Sequence, residues 1–374
     1  MTVAFRESPR SSVGIEWELH IVDAETGELT GAAERLIELT GGGDGRPIRK
    51  EYLPCAIEIV SEPRVVVADA VADLRGHLHR LLEAAASVGV ALMGAGSHPF
   101  SRSAAQASFR TARYDVVTEK NGWWGRQMAI CGTHVHIGVA DREYVPTIVW
   151  TLAQHYPHLL APSAASPFWG GEDSGFASQR TMMFQQISTN GLPFQLDSWA
   201  QFEQCVVDLL VCGAIDDVDE VRWDVRPSPK FGTIETRIGD SAPTLAELAF
   251  QAALAQCLGE RVVRRLEAGD PPETLPSWIV RENKWRAARY GLDAMVVGPG
   301  RVIPARDALG SLLAELAPVA ADLGCADELA FGHQVIDRGA SYERQRRVAD
   351  QAQGDLRAVA AALVAETAAG TPAW

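Results

Sequence analysis

Ser12-Val-Gly-Ile-Glu-Trp-Glu-Leu-His-Ile-Val22 reads as a strand with two opposed faces. Side chains alternate across a strand, so residue parity tells which groups share a side. Val13, Ile15, Trp17, Leu19 and Ile21 make one face apolar, while Gly14, Glu16, Glu18 and His20 make the other. Two carboxylates and an imidazole therefore stand together above a hydrophobic underside.

The split recurs along the chain. In 54–60, Cys55, Ile57 and Ile59 oppose a face carrying Glu58. In 130–139, Cys131, Thr133, Val135, Ile137 and Val139 oppose His134 and His136. In 221–226, Val221, Trp223 and Val225 oppose Arg222, Asp224 and Arg226; in 232–238, Ile234, Thr236 and Ile238 oppose Thr233, Glu235 and Arg237. Alternation of this kind is ordinary for an antiparallel sheet with one wet face. The composition of the polar face is not, because Glu, His and Arg stand where Lys, Ser and Gln usually do. Clustered carboxylates repel one another unless cations sit among them. Hard oxygen ligands with a histidine and nearby arginines suit Mg²⁺ or Mn²⁺ with a polyphosphate. The sheet is expected to be the floor of a nucleotide–metal site.

Apolar recurrence at three and four residues predicts helices near 65–87, 143–160, 199–213, 243–268, 303–323 and 341–368. Strands and helices interleave without a βαβ rhythm, which predicts one α+β unit over residues 1–374. The Gly41–Gly45 and Gly170–Gly175 stretches read as loops within it, the second as a candidate lid. At 374 residues and 47% hydrophobic content the chain is expected to bury roughly 75% of its unfolded surface.

Several classes are disfavoured. The formal charge of −14 argues against nucleic-acid and acidic-membrane partners. No apolar run reaches membrane-spanning length and the N-terminus lacks a secretory apolar region, so a cytoplasmic protein is expected. Cys55, Cys131, Cys205, Cys212, Cys257 and Cys325 show no CxxC pairing, and read as reduced thiols. There is no HExxH for zinc, no Walker GxxxxGK[ST] and no GxGxxG after a strand. Trp123, Trp124 and Trp169 read as packing residues, and His155 and His158 as structural.

In their order, Gly14-Ile-Glu-Trp-Glu18, Glu51 with Glu58, Gly132-Thr-His-Val-His136, Arg222-Trp-Asp-Val-Arg-Pro227, Thr233-Ile-Glu-Thr-Arg237 and Glu282-Asn-Lys-Trp-Arg-Ala-Ala-Arg-Tyr290 resemble the glutamate–cysteine ligases. The similarity is to the type 2, YbdK-like carboxylate–amine ligases and spans nearly the whole chain. The resemblance implies a glutamine-synthetase-like catalytic fold, an antiparallel saddle with helices on its outer face. It implies Mg²⁺ (or Mn²⁺) held by Glu16, Glu18, Glu51, Glu58, His134 and Glu235, with Arg237 following the last of these. Arg180, within 177–183, corresponds to a substrate-carboxylate arginine. ATP would be co-substrate, amino acids and amines the small-molecule partners, and a homodimer the assembly. Among the remaining polar groups, Arg222, Arg226 and Arg237 are candidates for neutralising a γ-phosphoryl group. His136 is a candidate for substrate contact or ligand orientation, and Asp224 a partner of its neighbouring arginines. Lys284, Arg286 and Arg289 are candidate nucleotide contacts. The chain departs from the classical enzyme in being shorter and in carrying His136 where that enzyme has another polar residue, which leaves the amine acceptor open. An acyl-phosphate or amide hydrolase on the same fold, or a nucleotide or amino-acid sensor, are the alternatives.

Overall fold

The first strand of the protein, β1 (Val13–Asp23), lies inside a sheet, with its odd-numbered side chains Val13, Ile15, Trp17, Leu19 and Ile21 all fully buried. The computed structural model describes residues 2–106 and 112–374, and for 112–118 the backbone alone. After β1 come α1 (Ala33–Thr40), β2 (Ile48–Lys50), β3 (Ala56–Val60), α2 (Val67–Ser87), β4 (Val90–Met93), α3 (Ala112–Gly125) and β5 (Thr133–Gly138). The middle of the chain gives α4 (Val145–Gln154), α5 (Tyr156–Ser163), β6 (Phe168–Trp169), β7 (Glu172–Asp173), α6 (Gln179–Phe184), α7 (Trp199–Val211), β8 (Val225–Ser228) and β9 (Thr233–Thr236). The rest is α8 (Leu245–Glu267), α9 (Ser277–Tyr290), β10 (Met295–Gly298), β11 (Arg301–Pro304), α10 (Ala305–Leu323), α11 (Ala326–Arg338), α12 (Ser341–Gln351) and α13 (Leu356–Ala369).

Among the described residues, seven strands form one sheet in the order β2-β3-β1-β5-β9-β8, with β4 also on β1; every pairing is antiparallel. The apolar face packs on α2, α4 and α8. Trp17 fills this layer and its indole N–H donates to Ala242 O at 2.9 Å, which satisfies the one polar atom the ring carries inside. α8 runs under β1 and β5, Thr244 capping its first turn by accepting from Glu247 N. The sheet is thus a rigid floor, helix-backed on one side and polar on the other. No helix among the described residues is long and apolar enough to cross a membrane.

Two expected helices are each two. The 143–160 stretch divides at His155, where Pro157 enters a new first turn as α5. The 341–368 stretch divides at 352–355, where Gln353 and Gly354 take positive φ and Asp355 caps α13. The expected strand 221–226 begins four residues later, at Val225. Within the Gly170–Gly175 stretch, Gly170 and Gly171 turn β6 into β7, and the stretch is pinned by Arg346 on Asp173 (2.8 Å) and Gly171 N on Pro99 O (3.1 Å). Trp123 and Trp124 are exposed and stack edge-on, so they are not the packing residues expected of them.

Candidate active site

Strand register assembles the polar face. Glu16 stands opposite His134, Glu18 opposite Glu58, and His136 opposite Glu235. Arg49 faces Glu58 from β2, and Arg226 faces Glu235 from β8. Directly opposed residues on one sheet face come within side-chain reach. His134 Nδ1 lies 3.2 Å from Glu16 Oε2 and its Nε2 3.6 Å from Glu18 Oε1. His136 Nε2 is 3.4 Å from Glu16 Oε1 and 3.8 Å from Glu235 Oε2, while its Nδ1 meets Thr233 Oγ1 at 2.9 Å. Glu51 comes in from the segment after β2, its carboxylate accepting from Tyr52 N at 2.7 Å.

These groups are largely out of water: Glu18, Glu58, His134 and Glu235 are buried and Glu16 is partly so. Burial, reinforced by the charge of Glu51, pushes Glu18 up to about 8. Burial and the neighbouring Glu16, Glu51 and Glu18 hold Glu58 well above the carboxylate range. Glu16 moves the other way: burial opposes its ionisation, but hydrogen bonds with His134 and His136 outweigh that and carry it well below. For Glu235, burial is overcome by Arg237 and then Arg226, so it stays ionised far into acid. Burial and Arg237 lower His134 to about 4, whereas Glu235 and Glu16 overcome burial at His136 and raise it.

Three overlapping groups bring ligand atoms within 4.8 Å of one another: Glu16, Glu58 and His134; Glu18, Glu51 and Glu58; Glu16, His136 and Glu235. The six residues Glu16, Glu18, Glu51, Glu58, His134 and Glu235 therefore stand together, and His136 joins them. Carboxylate oxygens with one or two imidazoles are a donor set for hard divalent cations. Burial first, and then the charges of neighbouring carboxylates, raise Glu18 and Glu58, and a bound cation would offset both by favouring the ionised forms. The residues fit a divalent metal.

Above this face opens a cavity of about 520 Å³ lined by Glu16, Glu18, Glu51, Glu58, His134, and the cationic residues Arg49, Lys50, Arg180, Arg222, Arg226, Lys230 and Arg237. Arg226 Nε donates to Glu235 Oε2 at 2.7 Å and its Nη1 to Asp219 O at 2.8 Å; Arg237 donates to Glu235 Oε1. One buried carboxylate thus holds two guanidinium groups at the cavity wall. Phe184 lies 5.6 Å and 5.8 Å from the Arg180 and Arg237 guanidinium carbons. Asp44 and Gly45 of the glycine-rich 41–45 loop reach the rim.

The other expected nucleotide contacts sit elsewhere. Lys284 is buried, its Nζ donating to Asp224 Oδ2 at 2.7 Å, so Asp224 partners that lysine and not the flanking arginine side chains. Arg286 bonds Glu282 within α9, and Arg289 reaches Gly175 O. None of the three lines the cavity, because α9 packs beside α5, away from the open face. His155, as expected, is structural, its ring held between Thr151 O and Arg261. Arg49, Lys50 and Lys230 escaped the sequence reading. Arg49 and Lys50 lie on a three-residue strand too short to show alternation, and Lys230 lies in the turn between β8 and β9.

The sequence model of glutamate–cysteine ligase family 2 matches residues 12–362. A Nocardia farcinica protein designated a candidate glutamate–cysteine ligase 2-2 is 48% identical over 373 residues, 98% of each chain. A Mycobacterium tuberculosis protein designated a candidate glutamate–cysteine ligase 2 is 47% identical over 368 residues, 97% of each chain. Among solved structures, a Francisella tularensis glutamate–cysteine ligase in complex with AMP superposes with TM-score 0.66 at 12% identity, covering 97% of this chain and 90% of that one. A Pasteurella multocida bifunctional glutathione synthetase gives 0.65 at 14% identity, covering 96% and 52%. The ligase PafA in its complex with Pup gives 0.51 at 12%, covering 91% and 68%. Such distant structures establish the fold; the near relatives and the family match establish kinship. The chain is a member of glutamate–cysteine ligase family 2, and with it an ATP-dependent carboxylate–amine ligase built on a helix-backed antiparallel sheet.

Proposed function

We propose that the 520 Å³ cavity binds ATP, an amino acid of the glutamate type and an amine such as cysteine, and joins acid to amine as an amide. The observation that carries this reading is one sheet face on which Glu16, Glu18, Glu58, His134, His136 and Glu235 stand in register across four strands, with Arg49 opposite Glu58 on one side and Arg226 opposite Glu235 on the other. Mg²⁺ or Mn²⁺ fits Glu16, Glu18, Glu51, Glu58, His134 and Glu235; bound there, such ions polarise and neutralise phosphoryl oxygens.

The protein's own groups do the rest by position and charge. An acid carboxylate oxygen attacks the γ-phosphorus, the bond to the ADP oxygen breaks, and the product is an acyl phosphate. Arg226 and Arg237, tethered by Glu235, stand ready to neutralise the oxygens of the group in transit, with Arg222 beside them. Holding the reactants together accounts for much of the acceleration in reactions of this kind. Arg180 takes the acid's second carboxylate. The amine nitrogen then attacks the acyl carbon, loses its proton, and phosphate leaves. His136, hydrogen-bonded to Thr233 Oγ1, orients the Glu16 and Glu235 carboxylates. The proposal includes a single catalytic domain over 1–374 and a cytoplasmic homodimer, the latter measurable by sedimentation at two concentrations.

The test combines ATP, Mg²⁺, L-glutamate and a pool of amino acids and amines, following ADP and product masses together, with Glu16→Gln as control. A mass equal to acid plus amine minus water, formed with ADP and absent in the variant, is the expected result. ADP without a conjugate would favour hydrolysis, and ATP binding without ADP would favour a sensor.

A further inference from the structure

Asp240 belongs to none of the motifs above, yet it is fully buried beside Arg180. Its carboxylate collects three donors: Oδ2 accepts from Ala165 N (2.7 Å) and Ser166 Oγ (2.7 Å), and Oδ1 accepts from Ser178 Oγ (2.8 Å). Each serine hydroxyl, having given its proton to Asp240, offers a lone pair to the first turn of α6. Ser166 Oγ accepts from Arg180 N (3.0 Å) and Ser178 Oγ from Thr181 N (3.2 Å). The Oδ1 atom also lies 4.0 Å from Arg180 Nη1, which donates to Arg237 O at 3.2 Å. One buried anion thus fixes both the backbone that carries Arg180 and the charge on its guanidinium.

The space is built for this arrangement. A Cβ at Gly132 would collide with the Arg180 guanidinium, and one at Gly96 would collide with the Asp240 carboxylate. Arg180 is 3% exposed, lines the cavity, and has a buried Nε with no hydrogen-bond partner among the described residues. Desolvated, unspent donor capacity on a held guanidinium is a feature of carboxylate recognition. A buried guanidinium far from any counter-charge would be costly, and Asp240 is the anion placed to offset it.

We propose that Asp240, acting through Ser166, Ser178 and the guanidinium of Arg180, is a positioning residue for the acid substrate. It sets where the substrate's non-reacting carboxylate sits and takes no part in phosphoryl transfer. The inference rests on the reading of Arg180 as the acid's carboxylate contact.

The experiment is a double-mutant cycle over Arg180→Lys and Asp240→Asn, with L-glutamate as probe, measuring its Kd by calorimetry with Mg²⁺ and a non-hydrolysable ATP analogue. KM for glutamate and for ATP, and the Tm of each variant, accompany it. Asp240→Asn is expected to weaken glutamate on the order of 10- to 100-fold, as when a charge-assisted hydrogen bond is lost, while KM for ATP moves less than about twofold. In the Arg180→Lys background the same substitution should add less than about threefold, since the two act as one unit. Full multiplication of the two effects, or an unchanged glutamate Kd in Asp240→Asn beside a weakened one in Arg180→Lys, would overturn the proposal. An unchanged Kd in Arg180→Lys would instead overturn the reading of Arg180. Should Asp240→Asn fail to fold, Ser178→Ala removes one relay and takes its place in the cycle, with the same readouts.

Discussion

Glu235 carries the densest chemistry of any residue in the site, since it binds Arg226 and Arg237 and stands opposite His136. The fork of Arg237 matters more than its charge, because a guanidinium can hold Glu235 and a phosphoryl oxygen at once. Arg237→Lys is therefore expected to lower kcat on the order of 10²-fold with little change in KM for the acid, measured by coupled ADP release. Glu58 tests the metal reading differently. It is crowded by Glu16, Glu18 and Glu51 and held above its ordinary range. Glu58→Gln should leave the metal-free protein as stable as the wild type or more so, while removing the Tm gain that Mg²⁺ gives the wild type. For a ligand at a hundredfold its Kd that gain corresponds to about 2.7 kcal/mol, read by thermal unfolding with and without the ion. Most of these residues were legible in the sequence because parity alone puts Glu16 with Glu18, His134 with His136 and Glu235 with Arg237 on one side of a strand. Asp240 and Arg49 were not: the role of Asp240 depends on Ser178, far along the chain, and Arg49 lies on a three-residue strand too short to show alternation.

At the scale of elements, β1 decides the fold by having a strictly apolar underside. Trp17 is wholly enclosed and anchored to Ala242 O, so Trp17→Ala opens a cavity and orphans that carbonyl. A loss of about 3–5 kcal/mol is expected in urea unfolding, large enough to separate a core role from a surface one. Strands β1, β3, β5 and β9 were readable from the sequence, because apolar and polar residues alternate through 12–22, 54–60, 130–139 and 232–238. β8 was read four residues early because Val221 and Trp223 extend the apolar pattern, although Gly191 O takes Asp224 N before the ladder proper begins. The helical period likewise continues across His155 and across Gln353, and only Pro157 and the positive φ of 353–354 interrupt it. Helices α1, α3, α6, α9 and α11 were not anticipated: α1 and α6 are short, and α9 carries lysine and arginines on a face that packing partly buries.

For the whole molecule, several neutral imidazoles are locked in place, and protonating them couples folding to pH. His98 is the cleanest case. Its Nδ1 accepts from Phe100 N (3.2 Å) and Ser101 N (2.9 Å), and Nε2 meets Gly27 O at 2.8 Å, so the neutral ring is fully satisfied. Burial lowers it to about 4, against about 6.5 in the unfolded chain. The unfolded state therefore binds the proton first, and stability falls as pH drops from about 6.5 towards 4. At pH 5 the His98 share is about 2 kcal/mol. His98→Asn keeps an acceptor where Nδ1 stands, and its loss of stability between pH 7.5 and 5 should be smaller than that of the wild type by that amount. An equal loss would show that the imidazole titrates normally.

In the proposed reaction the polar face of this sheet phosphorylates a carboxylate before an amine displaces the phosphate. The most direct measurement uses L-glutamate labelled with ¹⁸O in its carboxylates, incubated with ATP, Mg²⁺ and the amine found to be accepted. Attack of the labelled carboxylate on the γ-phosphorus, followed by amide formation, leaves one ¹⁸O in each phosphate released. Glutamate-dependent phosphate that carries no label would contradict the account.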